Sequence, residues 1–117
     1  SEALRIYDSI YNQFQNHSLN DDILFRKSQV FKIQQMQDKA IDVLKQLEEE
    51  FPGSIILDKA LFNIAKLYED DLNDFESAKK YYRKILFDHP SSLYVIDARK
   101  RFRKLSGKTN QNINKSS

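Results

Sequence analysis

A chain of 117 residues with 40% apolar and 31% charged side chains has the size and composition of one folded domain. It contains no Cys, which excludes disulfides, thiolate nucleophiles and Cys-ligated metals, and its net charge of +2 is too small to specify a nucleic-acid partner. Two Gly and two Pro supply too little turn chemistry for a sheet-rich fold, and no apolar run approaches the ~20 residues that span a bilayer.

In chain order, residues 2–15 predict an amphipathic helix carrying Leu4, Ile6, Tyr7, Ile10, Tyr11 and Phe14. Residues 19–35 and 38–50 predict a helix pair that ends before Pro52. The next helix is expected over 55–70, where Ile56, Ala60, Leu61, Ile64, Leu67 and Tyr68 recur at helical spacing. Ser54 is placed to cap it by accepting from an early backbone N–H. Asp70 to Asp74 read as a turn. Residues 75–88 then put Ala78, Tyr81, Tyr82, Ile85 and Leu86 on one side of a further helix. Pro90 ends that helix, because it has no N–H to donate and disfavours helix at His89. Residues 93–106 predict a closing helix. Residues 107–117, GKTNQNINKSS, carry too little apolar content to pack and are expected to be a disordered tail.

The elements repeat. Ala40 and Ala78 are 38 residues apart, as are Pro52 and Pro90, Ala60 and Ala98, Leu44 and Tyr82, and Ser54 and Ser92. An upstream copy follows at a spacing of 37, with Ala3 matching Ala40, Tyr7 matching Leu44, Phe25 matching Phe62 and Phe31 matching Tyr68. Self-similarity at such a period marks a stacked-repeat architecture.

Within each unit, Leu61, Ala65, Tyr68, Ala78, Tyr82, Ile85 and Pro90, and before them Leu24, Ser28, Phe31, Ala40, Leu44, Leu47 and Pro52, follow one order. That order resembles the tetratricopeptide repeat family. The resemblance covers residues 3–106 and implies an all-α fold, a right-handed α-α superhelix of antiparallel helix pairs. It divides the chain into an orphan helix (2–15), repeats at about 19–50 and 55–88, and the closing helix. The usual period of the family is about 34. The longer spacing and the string Pro-x-Ser-x-x-x-x-x-Ala resemble long-repeat members from Gram-negative cell envelopes. That likeness favours a periplasmic or outer-membrane-associated place over a cytoplasmic one.

In this family the first helix of each pair lines the inner, concave groove. The register puts Phe25, Gln29 and Lys32 there from one unit, and Phe62, Asn63, Lys66 and Glu69 from the next. The closing helix contributes Lys100, Arg101 and Lys104. Phe25 and Phe62, at equivalent positions, are expected to form an apolar shelf for a protein or peptide partner. A chaperone-type carboxylate clamp is not expected. Asn63 and Arg101 match two of its positions, but Phe25, Gln29 and Asp97 occupy the others.

Two further surfaces stand as alternatives. Leu4, Tyr7 and Tyr11 on the orphan helix are expected to support self-association or to meet an upstream repeat, which would make the chain the C-terminal part of a longer bacterial repeat protein. Arg99, Lys100, Arg101, Arg103, Lys104 and Lys108 form a basic stretch that could hold an anionic surface, although one charge run is more often solvated. An enzyme is not expected, nor is a metal or other cofactor. His17 and His89 lack ligand-spaced neighbours, and Gly53 and Gly107 are too isolated to build a phosphate loop.

Overall fold

A computed structural model describes residues 2–13 and 20–115. Among them the helices are α1 (Glu2–Gln13), α2 (Asn20–Ile33), α3 (Gln37–Glu50), α4 (Leu57–Lys66), α5 (Phe75–Asp88) and α6 (Val95–Lys115). A π-helical turn, Leu67–Asp71, continues α4. No strand occurs among the described residues. The helices pack in neighbouring pairs, as the repeat pattern requires.

The chain divides into two compact units, Ser1–Ala60 and Leu61–Ser117. In the first, α2 packs against both α1 and α3. Ile23, Leu24, Phe25, Ala40, Ile41, Leu44 and Leu47 are buried there. Ser28 is also buried, and its hydroxyl avoids a desolvation penalty by donating to the Phe25 carbonyl at 2.5 Å. Lys27 reaches Asp8 at 2.5 Å and ties α2 to α1. In the second unit α5 packs on the π-helical turn and on α6, around Leu61, Ile64, Ala78, Tyr82, Ile85, Ala98 and Leu105.

The helix ends recur as faithfully as the side chains. Phe51 and His89, each followed by Pro, leave the helical region at φ −130°, ψ 61° and φ −133°, ψ 58°. Both donate their backbone N–H four residues back, to Leu47 and Ile85. Proline restricts the residue before it in this way. Ser54 Oγ then accepts from the Ile56 N–H at 3.1 Å, and Ser92 Oγ from the Tyr94 N–H at 3.0 Å. Ser54 thus closes a turn on the Ile56 N–H just ahead of α4, where a cap would have accepted from an N–H of the helix itself.

The two inner turns differ by one residue. Gln35 (φ 60°) and Asn73 (φ 52°) both take the left-handed conformation that closes a helix. In the first unit the Met36 N–H bonds to the Phe31 carbonyl, five residues back. At the equivalent place the Asp74 N–H bonds to the Tyr68 carbonyl, six residues back. The extra residue is taken up inside the helix as the π turn, whose Leu72 N–H bonds to Leu67. The break expected to open at Asp70 thus starts later. Beyond it the Asp74 carboxylate caps α5 by accepting from the Ser77 N–H at 3.1 Å.

The C-terminal end departs from expectation. Helix α6 continues past 106 to Lys115, through most of the segment read as a disordered tail. That segment has no Pro, and each residue added to an existing helix contributes one more backbone hydrogen bond without needing apolar contacts. At the other end, Phe14, His17 and Ser18, together with the last residues of the expected orphan helix, lie outside the described residues.

Gln35 pays the steric cost of a left-handed Cβ, and Asn73 tolerates that conformation better. Gln35→Gly is expected to stabilise the protein by about 0.5–1 kcal/mol in urea unfolding, and Asn73→Gly by less.

Candidate interaction surfaces

The two phenylalanines expected to form a shelf are core residues. Phe25 is 5% and Phe62 8% exposed. Lys59 Nζ lies 4.3 Å from the Phe25 ring centroid. Phe62 stacks on Tyr94 at 4.9 Å and meets Tyr82 edge-on at 5.9 Å. The physical reason is area. A phenyl ring left in water forgoes its large burial energy, and each ring finds neighbours within its own unit. Neither ring has appreciable surface left to offer a partner.

The other groove candidates separate into two sets. Gln29, Lys32, Lys100 and Lys104 are exposed. Asn63 and Lys66 are half-buried, with Lys66 Nζ 5.8 Å from the Phe62 ring centroid. Glu69 and Arg101 are engaged internally. Glu69 sits in the π-helical turn, 6% exposed. Tyr82 Oη donates to Glu69 Oε1 at 2.7 Å, and Arg101 Nη1 donates to the same oxygen at 3.0 Å. Arg101 also approaches Asp70 at 3.6 Å. In the first unit Lys32, which stands 37 residues earlier at the position equivalent to Glu69, stays in solvent.

This cluster was not legible from local pattern. Arg101 lies 32 residues beyond Glu69, and Tyr82 reads only as a core aromatic. The one available signal was the extra residue that lengthens the repeat from 37 to 38. Burial, and then the bond to Glu69, raise the Tyr82 hydroxyl far above its ordinary value. Burial opposes the charge on Arg101, but the Glu69 bond and the neighbouring Tyr82 outweigh it and raise its pKa. The cluster locks α5 and α6 to the end of α4 with charge-assisted bonds.

On α1, Leu4 and Tyr7 are half-buried, and the Tyr11 side chain lies outside the described residues. The first unit also has an open depression of about 800 Å³ between the start of α2 and the α3–α4 turn, lined by Asp21, Asp22, Glu50, Pro52 and Ile55. The sequence reading did not single it out. Its acids are partly occupied: Ser54 Oγ donates to Asp21 Oδ2 at 2.6 Å, and Arg26 Nε to Asp22 Oδ2 at 2.8 Å. Among the described residues no group of three or more His, Cys, Asp and Glu side chains is placed to hold a metal ion. No described helix is long and apolar enough to cross a membrane.

Residues 22–54 and 59–92, more than half of the chain, match the family model for the tetratricopeptide repeat. No curated protein matches the chain.

Tyr82→Phe removes one bond to a buried carboxylate and is expected to cost about 2 kcal/mol in urea unfolding at neutral pH. The raised Tyr82 pKa adds a pH signature. The folded protein keeps a proton that the unfolded chain releases above pH ~10, so this stability is complete below that pH and declines above it. Tyr82→Phe is expected to lose that alkaline decline, by up to about 1.4 kcal/mol per pH unit, when unfolding is followed at a series of pH values.

Proposed function

The chain belongs to the tetratricopeptide repeat family, and on that premise we propose that it is a protein-interaction scaffold. The observation that carries this reading is the family match at both consecutive repeats. Proteins built from these repeats generally mediate protein–protein contact and are generally not enzymes.

The binding residues are the polar side chains of the first helices that packing leaves available. In the first unit these are Gln29 and Lys32 on α2. In the second they are Asn63 and Lys66 on α4, with Lys100 and Lys104 on α6. Affinity then rests on hydrogen bonds and on the hydrocarbon stems of the lysines rather than on a phenylalanine shelf. Glu69 and Arg101 act as positioning residues that hold α6 in place. The Pro-x-Ser strings at Pro52 and Pro90 support a place among long-repeat proteins of the bacterial cell envelope.

The test is capture of partners from the source cells through a photo-crosslinker at Gln29 or Lys66, followed by affinity measurement with the purified partner. Lys32→Glu combined with Lys104→Glu is expected to weaken that partner at least about tenfold. Because both positions are exposed, stability should change by less than about 0.5 kcal/mol. Unchanged affinity in this double variant would remove the first-helix surface from the proposal.

A further inference from the structure

The second unit carries a marked charge imbalance. Residues 61–117 contain 12 Lys and Arg against 7 Asp and Glu, whereas residues 1–60 contain 7 against 10. The excess concentrates in α5 and α6, where 11 basic residues face 3 acidic ones. Of those acids Glu76 is paired with Lys79 at 3.1 Å. Arg101 is neutralised by Glu69, but Arg99, Lys100, Arg103 and Lys104 are exposed and form no ion pair among the described residues.

These cations fall on two sides of α6. By the 3.6-residue period Arg99 and Arg103 share a side with Ile96, next to Phe102, Lys100 borders that side one turn beyond Ile96, and Lys104 lies toward Arg101. On α5 one stripe carries Lys80, Arg83 and Phe87, all exposed. The guanidinium of Arg83 sits 5.5 Å from the Phe102 ring centroid and joins the two stripes. The result is one continuous surface across the hairpin. Arg83, Arg99, Arg103 and Lys80 make it cationic. Phe87, 76% exposed, and Ile96, 64% exposed, make it apolar at the end next to the α5–α6 turn. Asp88 and Asp97 lie off both stripes. Like charges held together without counter-charges raise the energy of the free protein, and an anionic partner relieves it.

We infer that this α5–α6 surface docks an acidic protein segment that carries an aromatic or aliphatic anchor, with carboxylates on Arg83, Arg99 and Arg103 and the anchor on Phe87 and Ile96. The inference rests on the scaffold reading and adds a second contact face with a defined partner chemistry. Two observations favour a protein over other polyanions. The chain's net charge of +2 is well short of the excess that a nucleic-acid interface carries. Ala98 and Leu105, the apolar face of α6, are fully buried in the fold, so the helix has no free face to lay into lipid. Arg83, Arg99 and Arg103 suit the acidic side chains of such a segment, since a planar guanidinium fork pairs with a carboxylate in two-point fashion.

The full chain is titrated with a labelled peptide of repeated Glu-Glu-Leu triplets, and in parallel with an all-Glu peptide of the same length, oligothymidylate and phosphatidylglycerol vesicles. The triplet peptide is expected to bind tightest, and increasingly weakly as salt is raised. Arg99→Glu with Arg103→Glu should weaken it at least about tenfold, and Phe87→Ser with Ile96→Ser about fivefold. Lys104→Glu, toward the Arg101 side of α6, should weaken it less than about threefold. The inference is overturned if oligothymidylate or vesicles bind more tightly than the triplet peptide. It is equally overturned if Lys104→Glu matters as much as the Arg99/Arg103 pair, or if no salt-sensitive peptide binding occurs. Retained peptide binding with no effect of the Lys32/Lys104 variant on the captured partner would fail the first-helix surface and leave this one standing. The reverse pattern would do the opposite.

Discussion

Close approach of helices over small side chains is the constraint on which everything else in this chain depends. Ala40, Ala60, Ala65, Ala78 and Ala98 are all fully buried, and Ser28 stands almost fully buried where the next repeat has Ala65. A larger side chain at any of them would hold neighbouring helices apart and leave gaps around the large residues that fill the grooves. Leu24, Leu44, Leu47, Ile64, Tyr82, Ile85 and Leu105 then pack to near-complete exclusion of water. Helix length is set just as tightly. The residue before each proline leaves the helix, and a left-handed residue ends each first helix, so every helix presents the same positions to its neighbour.

Within that regular frame a single added residue has a local and chemically specific effect. It widens the end of α4 into a π-helical turn rather than lengthening the following loop. The turn holds Glu69 out of solvent, where Tyr82 and Arg101 satisfy the same oxygen. Desolvating a carboxylate is costly unless such partners exist, so the cluster is stable only as a set. It converts what the repeat register would make a surface acid into a fastening between α5 and α6 and the end of the preceding helix. Insertions of this kind are common at functional sites, and here the turn places Glu69 against Tyr82 and Arg101.

The same partition decides which charges are available for binding. Arg101 spends its charge internally, while the cations on either side of it remain in water. The aromatic rings that a groove might have offered, Phe25 and Phe62, are likewise spent on packing, with Lys59 and Lys66 close to their faces. What the second unit presents is therefore lysine- and arginine-rich, with exposed apolar side chains such as Phe87, Leu93 and Ile96 near the α5–α6 turn. The acidic partner we infer fits such a surface better than the apolar segments that fill hydrophobic grooves.

Much of the fold was legible beforehand. The repeat of Ala, Pro and Ser at 38 residues located both helix pairs, their proline stops and the serine turns that follow them, because these are local effects of backbone geometry and hydrogen bonding. The orphan helix and the closing helix followed from apolar periodicity, although composition alone misjudged how far α6 runs. The binding surface was less legible. Phe25, Phe62, Glu69 and Arg101 share a helix face with Gln29 and Lys100, and the helical period cannot say which side chains on that face a neighbouring helix covers. By itself the sequence determined the repeat, the helix pairs and the family, since periodic small and large residues leave few other ways to bury the apolar faces. Only the tertiary structure decided that two phenylalanines belong to the core, that Glu69 and Arg101 are bonded partners, and that Arg83 meets Phe102, because each depends on residues far apart in sequence being brought together by packing.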